Sequence, residues 1–312
     1  MPDNPSGPYY YIPLRKNPEF VGRESILQRL RAMLFEQNST LKAAITGLGG
    51  AGKNQIALHL SYWVKERLPD FSVFWVRASS KEDFERDMAV LAEKLHIPVS
   101  SNNQDPKVLV GQCLNSDKSG KWFLVVDNAD DKQHVLDGGI MDYLPESNTG
   151  RILFTTRFRH IVQDTVGRNV IEVGEMDPSN ATKLCMSLIP DSLGDETAQG
   201  ELLGEPAYLP LAIAQAAAYI NRNQTAFKRY LALLRQSTQD ANYLLSEGFR
   251  DNYGGRKNHA VVTTWLVSFE KICQSSSPAA GLATELLSFM SLIEPKAIPR
   301  STFAMSREGR SI

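Results

Sequence analysis

The chain has 312 residues, 42% of them hydrophobic and 22% charged, which is ordinary for a soluble globular protein and suits about two domains. Lys and Arg number 34 against 35 Asp and Glu, a formal net charge of −1. That balance offers no basic field for nucleic acid, so no nucleic-acid partner is expected.

Residues 1–8 are rich in Pro, Asn and Gly and read as an unstructured lead. Tyr9-Tyr10-Tyr11-Ile12-Pro13 is an aromatic run suited to packing on the domain that follows, and 1–19 as a whole precedes that domain. Phe20-Val21-Gly22-Arg23 then leads into a helix in which Ile26, Leu27, Leu30 and Leu34 recur at helical spacing. Taken alone, the run is a helix start with a hydrophobic staple.

Strands and helices then alternate. Ala43–Thr46, Ser72–Val76, Trp122–Val126, Ile152–Phe154 and Val170–Val173 are short apolar strands. Between them, Lys53–Arg67 and Lys81–Leu95 carry apolar residues at helical spacing. Another helix starts at Asp105-Pro106, with Val108, Leu109 and Cys113 expected inward. This pattern predicts an α/β domain over 20–175, a three-layer parallel sheet covered on both faces. After Gly174 the β-branched runs cease. Asp177-Pro178 caps a helix, and 196–203, 211–220, 226–234 and 240–245 read as further helices of a small helical domain over 176–252. Asp251–Arg256 is a linker. Helical patterns near 261–272 and 279–293 then begin a unit over 253–312 that is expected to be partial.

Cys113, Cys185 and Cys273 are far apart and match no metal-ligand spacing, so reduced thiols in an intracellular protein are expected. The stretch Leu209 to Ile220 is too short to span a bilayer, and the N-terminus lacks an apolar signal core. The expectation is a cytoplasmic protein without a membrane partner.

The sharpest signal is Gly47-Leu48-Gly49-Gly50-Ala51-Gly52-Lys53-Asn54, between the first strand and the helix that begins Gln55-Ile56-Ala57. Strand, glycine-rich turn, lysine and helix is the P-loop arrangement, in which backbone N–H groups and a helix N-terminus cradle phosphates. A plain connecting turn would leave Lys53 unexplained, because the helix dipole disfavours a cation there without an anion. The pattern asks for Ser or Thr after the lysine, to ligate Mg²⁺, and here the residue is Asn54.

The strand Trp122–Val126 runs into Asp127, the Walker B pattern whose carboxylate helps hold Mg²⁺; by itself it also fits a strand-terminating turn. The next position often carries the acid that activates water. Here it is Asn128, which can orient water but cannot take its proton, and Asp130 or Asp131 could substitute only if the loop curls back. Thr155-Thr156-Arg157 puts an arginine at a strand mouth, suited to sensing a γ-phosphate or simply to the surface. Leu209-Pro210-Leu211-Ala212 opens an alanine-rich helix able to pack closely, and a proline near a helix start is common in any case.

Together these runs resemble the NB-ARC module of the STAND class of signalling NTPases, in its fungal NLR-like branch. The resemblance is carried by Asn17–Glu24, the P-loop, Leu124–Asp130, Gly150–Arg157 and Leu209–Ala212. It implies a P-loop NTPase sheet with the Arg157 strand between the P-loop and Asp127 strands, a helical domain and a partial winged-helix domain. It implies that Val21 and Arg23 lie against adenine and ribose. Gly47, Gly49, Gly50, Ala51, Gly52, Lys53, Asn54 and Gln55 would hold phosphate, and Pro210 would pack on the base. Asp127 would serve Mg²⁺ weakly, and Arg157 would sense the γ-phosphate. The ligand implied is ADP or ATP. The function implied is a signalling switch, in innate immunity or programmed cell death, that self-associates or binds a protein through flanking domains. Asn54 and Asn128 favour ADP retention with impaired hydrolysis. A working ATPase and a non-binding remnant are the alternatives.

Overall fold

The central strands are apolar at nearly every position, as a sheet buried on both faces requires. The computed structural model describes residues 7–36, 40–98, 104–136, 139–190, 209–230 and 232–233. Among these, six parallel strands form one sheet: β1 (Tyr10–Tyr11), β2 (Lys42–Thr46), β3 (Phe71–Arg77), β4 (Lys121–Asp127), β5 (Gly150–Thr156) and β6 (Val170–Glu172). The order is β1-β3-β4-β5-β2-β6, so β5 lies between β2 and β4 as expected. All three strands that lead into site residues are therefore adjacent and end at the same edge.

Side chains alternate across the sheet. Trp122, Leu124 and Val126 of β4 enter one core with Phe74, Ile152 and Phe154. That face is covered by α3 (Lys81–Lys94), α4 (Pro106–Asn115) and α6 (Arg159–Val166). Phe123 and Val125 enter the opposite core with Val73, Trp75 and Leu153, under α1 (Glu24–Arg31) and α2 (Lys53–Arg67). The short α5 (Lys132–Val135) follows β4.

Two local expectations need correction. The aromatic run at the N-terminus does more than pack: Tyr10 pairs with Val73 and Tyr11 with Phe74, adding a sixth strand where five were expected. The buried carboxylate of Asp87 accepts the Tyr11 hydroxyl at 3.1 Å and ties this edge down. Two residues are too few for periodicity to reveal a strand. In α4, Val108 is 41% exposed, while Val110 and Leu114 are buried. Lys107 makes ion pairs with Glu85 and Asp105, which draws its stem inward and rotates Val108 to solvent.

The second unit packs α7 (Pro178–Leu188) against α8 (Pro210–Asn223), with a further helical turn at 227–230. Asp177 caps α7 as expected, accepting from the Asn180 backbone. Ala181, Cys185, Ile213, Ala216, Ala217, Ile220, Phe227 and Tyr230 make its core. Ala212, Ala216 and Ala217 are the alanines that pack closely, whereas Ala214 and Ala218 are exposed. The helices expected at 196–203 and 240–245, the linker at 251–256 and the partial winged-helix domain at 253–312 lie outside the described residues.

Gly150 opens β5 directly opposite Trp122. A Cβ there would lie 2.0 Å from the Trp122 ring, which is fully buried and held by its indole N–H on the Leu114 carbonyl. Gly150→Ala is therefore expected to cost about 1–3 kcal/mol, the usual cost of overpacking. Urea unfolding measures it, and an unchanged midpoint would show that the ring has room to move.

Candidate functional site

Strand β2 ends at Thr46, and the loop 47–52 turns the chain into α2. Gly52, at φ 90°, is the residue before that helix and offers no side-chain cap to the first N–H groups of α2. Lys53 answers the dipole by donating to the carbonyls of Gly47 at 2.8 Å and Leu48 at 2.9 Å. Burial lowers the pKa of its ammonium, and the nearby Asp130 carboxylate opposes this.

Asp127 ends β4 with its carboxylate almost fully buried. Asn54 donates its side-chain N–H to Oδ2 at 3.0 Å, and Thr155 donates its hydroxyl to Oδ1 at 2.6 Å. Burial raises the carboxyl from its ordinary 3.8 to about 6, against the partial opposition of the Thr155 bond. Thr155 Oγ1 also accepts the Asn128 N–H at 2.9 Å, where the chain takes a left-handed turn with φ 61°.

That turn brings Asp130 back over β5. Asp130 accepts from Thr156 Oγ1 at 3.1 Å, from the Arg157 backbone at 2.6 Å and from Arg157 Nε at 2.6 Å. Asp131 faces away and caps α5 through the Gln133 N–H.

A cavity of about 560 Å³ opens between this edge and the helical unit. The phosphate-loop side contributes Gly49, Gly50, Gly52, Lys53, Asn54 and Gln55, the strand ends contribute Asn128 and Arg157, and the N-terminal segment contributes Asn17 and Glu19. Leu184 and Leu188 of α7 and Pro210, Leu211 and Ala214 of α8 form the opposite wall. A narrow annex of about 60 Å³ adjoins it, lined by Phe20, Val21, Arg23, Ala51 and Met176 together with several residues of the larger space. Arg23 locks the annex to the loop, donating to the carbonyls of Glu175, Gly174 and Ala51 at 2.8, 2.7 and 3.2 Å. Burial depresses the pKa of its guanidinium.

The helical unit rests on the loop itself. Leu211 N–H donates to the Gly50 carbonyl at 3.2 Å. A Cβ on Gly50, where φ is 81°, would come within 3.0 Å of Leu211 Cβ, so glycine is what permits this approach.

Of the residues singled out in the sequence, Gly49, Gly50, Gly52, Lys53, Asn54, Gln55, Arg157 and Pro210 line the cavity, and Val21, Arg23 and Ala51 line its annex. Gly47 and Asp127 stand behind the wall, bonded to Lys53 and Asn54. Sequence reasoning did not assign Asn17, Glu19, Phe20, Met176, Leu184, Leu188, Leu211 and Ala214 to the site. Asn17 was within reach, being part of the run that precedes Phe20. Leu184 and Leu188 sit four apart on an amphipathic helix and look like any core pair.

The family model of the NB-ARC domain matches residues 23–191. A nucleotide-binding leucine-rich repeat (NLR)-like protein of the fungus Hyaloscypha variabilis is 34% identical over 94% of this chain. The regulatory protein AfsR of Streptomyces griseus is 25% identical over 67% of it. The chain spans only 31% and 21% of the lengths of these two relatives. Among solved structures, a Walker-type ATPase of Pyrococcus abyssi superposes with a TM-score of 0.53 at 13% identity, covering 76% of this chain and 78% of that one. The Aeropyrum pernix ORC1 protein, solved in complex with DNA, gives 0.50 at 13% identity, covering 88% and 84%. At that identity the likeness is one of fold: a P-loop NTPase sheet.

The raised carboxyl of Asp127 has a consequence for the ligand-free protein. Its contribution to stability is complete below pH 4 and is lost as the pH rises through about 6. That rise in the carboxyl's pKa corresponds to about 3 kcal/mol. Between pH 4 and 7 the wild type should therefore lose about 3 kcal/mol relative to Asp127→Asn in denaturant unfolding. Parallel curves would mean that the carboxyl ionises normally.

Proposed function

The chain belongs to the NB-ARC family, and on that premise we propose that it is an adenine-nucleotide-binding signalling switch that retains ADP and hydrolyses ATP poorly. The cavity supports the ligand class. Its phosphate end combines Lys53 with open helix N–H groups, and its narrow end is apolar around Val21 and Pro210. A nucleoside diphosphate needs that pairing of a cationic cradle and a flat apolar slot.

The observation that carries the second half is the hydrogen bond from Asn54 to Asp127. Magnesium in such sites takes oxygen ligands in a near-octahedral set. Here the position after the lysine turns an N–H toward the Asp127 carboxylate, whose two oxygens both accept hydrogen bonds. These residues do not fit a tightly held magnesium ion. Hydrolysis also needs a base for water. Asn128 cannot serve, Asp130 is gripped by Arg157, and Asp131 caps α5. Binding the shared diphosphate is thereby separated from cleaving the third phosphate.

The switch logic follows from where the cavity lies. Its walls belong to two units that meet at Gly50 and Leu211, so a ligand that fits one relative placement better shifts the population toward it. Driving a 1:99 equilibrium to 99:1 takes about 5.5 kcal/mol of differential affinity. Self-association or a protein partner acting through flanking segments, a cytoplasmic location and a role in innate immunity or programmed cell death belong to the same reading. The NLR-like name of the fungal relative supports it.

Purified protein denatured in acid should release ADP, identifiable by anion-exchange chromatography, and Lys53→Ala should release little. Empty protein with no measurable affinity for ADP would end this reading. Asn54→Thr restores the hydroxyl and should raise magnesium-dependent ATP affinity about tenfold, the equivalent of about 1.4 kcal/mol, in calorimetric titrations with and without the metal. An unchanged affinity would place the defect elsewhere.

A further inference from the structure

Arg157 and Asp130 meet at the cavity wall in an asymmetric way. Asp130 is 9% exposed at its side chain and takes the guanidinium through Nε alone, at 2.6 Å. The same carboxylate accepts the Arg157 backbone N–H and the Thr156 hydroxyl, so it is fixed to the end of β5 by three bonds. Neither terminal nitrogen of Arg157 makes a hydrogen bond to the described residues, and the side chain, 52% exposed, lines the cavity. The arginine is thus held by its stem side while its two-pronged end stays open.

We propose that Asp130 is the positioning residue for Arg157, presenting its terminal nitrogens to the outermost phosphate of a bound nucleoside triphosphate. This rests on the nucleotide-binding reading above. A guanidinium offers five N–H donors in a rigid fork, and phosphate is matched by two of them side by side. Using Nε on Asp130 leaves that pair unspent. It also removes most of the side chain's rotational freedom before the ligand arrives, so less is lost on binding. The carboxylate does not cancel the cation, because Lys53 shares its field and two further donors satisfy its oxygens. Asp130 is then neither a base nor a bystander. It lets the site tell triphosphate from diphosphate with no cleavage, which is what a switch lacking a base requires.

The test is calorimetric titration of the full chain with ADP and with the γ-thio analogue of ATP, in the wild type, Asp130→Ala, Asp130→Asn, Arg157→Ala and the Asp130→Ala/Arg157→Ala double variant. Asp130→Ala should weaken the triphosphate about tenfold, the scale of one charge-assisted hydrogen bond, and ADP less than about twofold. Asp130→Asn keeps the shape and an acceptor oxygen, and should fall between; it carries the test if the alanine variant melts early. The double variant should be no worse than Arg157→Ala, because the two residues act as one unit. An equal loss for both ligands would make Asp130 merely structural and overturn the proposal. So would tighter triphosphate binding in Asp130→Ala, which would make the pair a competing latch. A wild type that binds neither ligand would instead sink the nucleotide reading, and this inference with it.

Discussion

A carboxylate withdrawn from water at the end of β4 governs the geometry of the whole edge. Taking Asp127 out of solvent costs several kcal/mol unless donors surround it. Asn54 supplies one donor from the phosphate loop and Thr155 supplies the other from β5. The Thr155 hydroxyl, while donating to Asp127, accepts the N–H of Asn128, and the Ala129 N–H donates to the Thr155 carbonyl. Those bonds bend the chain after β4 over the end of β5, which is how Asp130 reaches Arg157. One buried charge thereby sets the positions of the loop lysine's neighbour, the strand-end amide and the cavity arginine.

The second constraint is the seat of the helical unit on the phosphate loop. Leu209 and Ala212 join the core beneath the sheet face, while Ile213, Ala216 and Ile220 belong to the core of the helical unit. Helix α8 thus has one end in each core, with Pro210 and Leu211 between them at the cavity. The cavity is thus bordered by both units beside the backbone bond from Leu211 to the Gly50 carbonyl. On the proposed reading, a nucleotide bound there would have a definite place at which differential affinity acts on the relative placement of the units.

Much of this was legible because it is local. A glycine run with a lysine between a strand and a helix has a mechanism attached to each residue, and Asn54 and Asn128 were visible as departures from it. Apolar runs announced the five longer strands, and a Pro after Asp177 announced a helix start. What escaped had no local signature. The two-residue strand at Tyr10–Tyr11 depends on the open edge of β3 and on Asp87. The rotation of α4 was decided by Lys107 reaching Glu85, a residue on another helix. Leu184 and Leu188 are cavity walls only because α7 stands across from the loop.

By itself, then, the sequence determined the class of fold, the glycine-rich loop with its lysine, and asparagine at the two positions where a hydroxyl and a second acid are usual, because these depend on residue type and spacing along the chain. Tertiary structure decided what those residues face. Asn54 could have turned toward solvent or ligand, and it donates to Asp127 because β2 and β4 end side by side across β5. Asp130 could have been a base, and it grips Arg157 because Thr155 bends the intervening loop. Partners across a sheet are set by strand order and register, and neither is written in any one stretch of the chain.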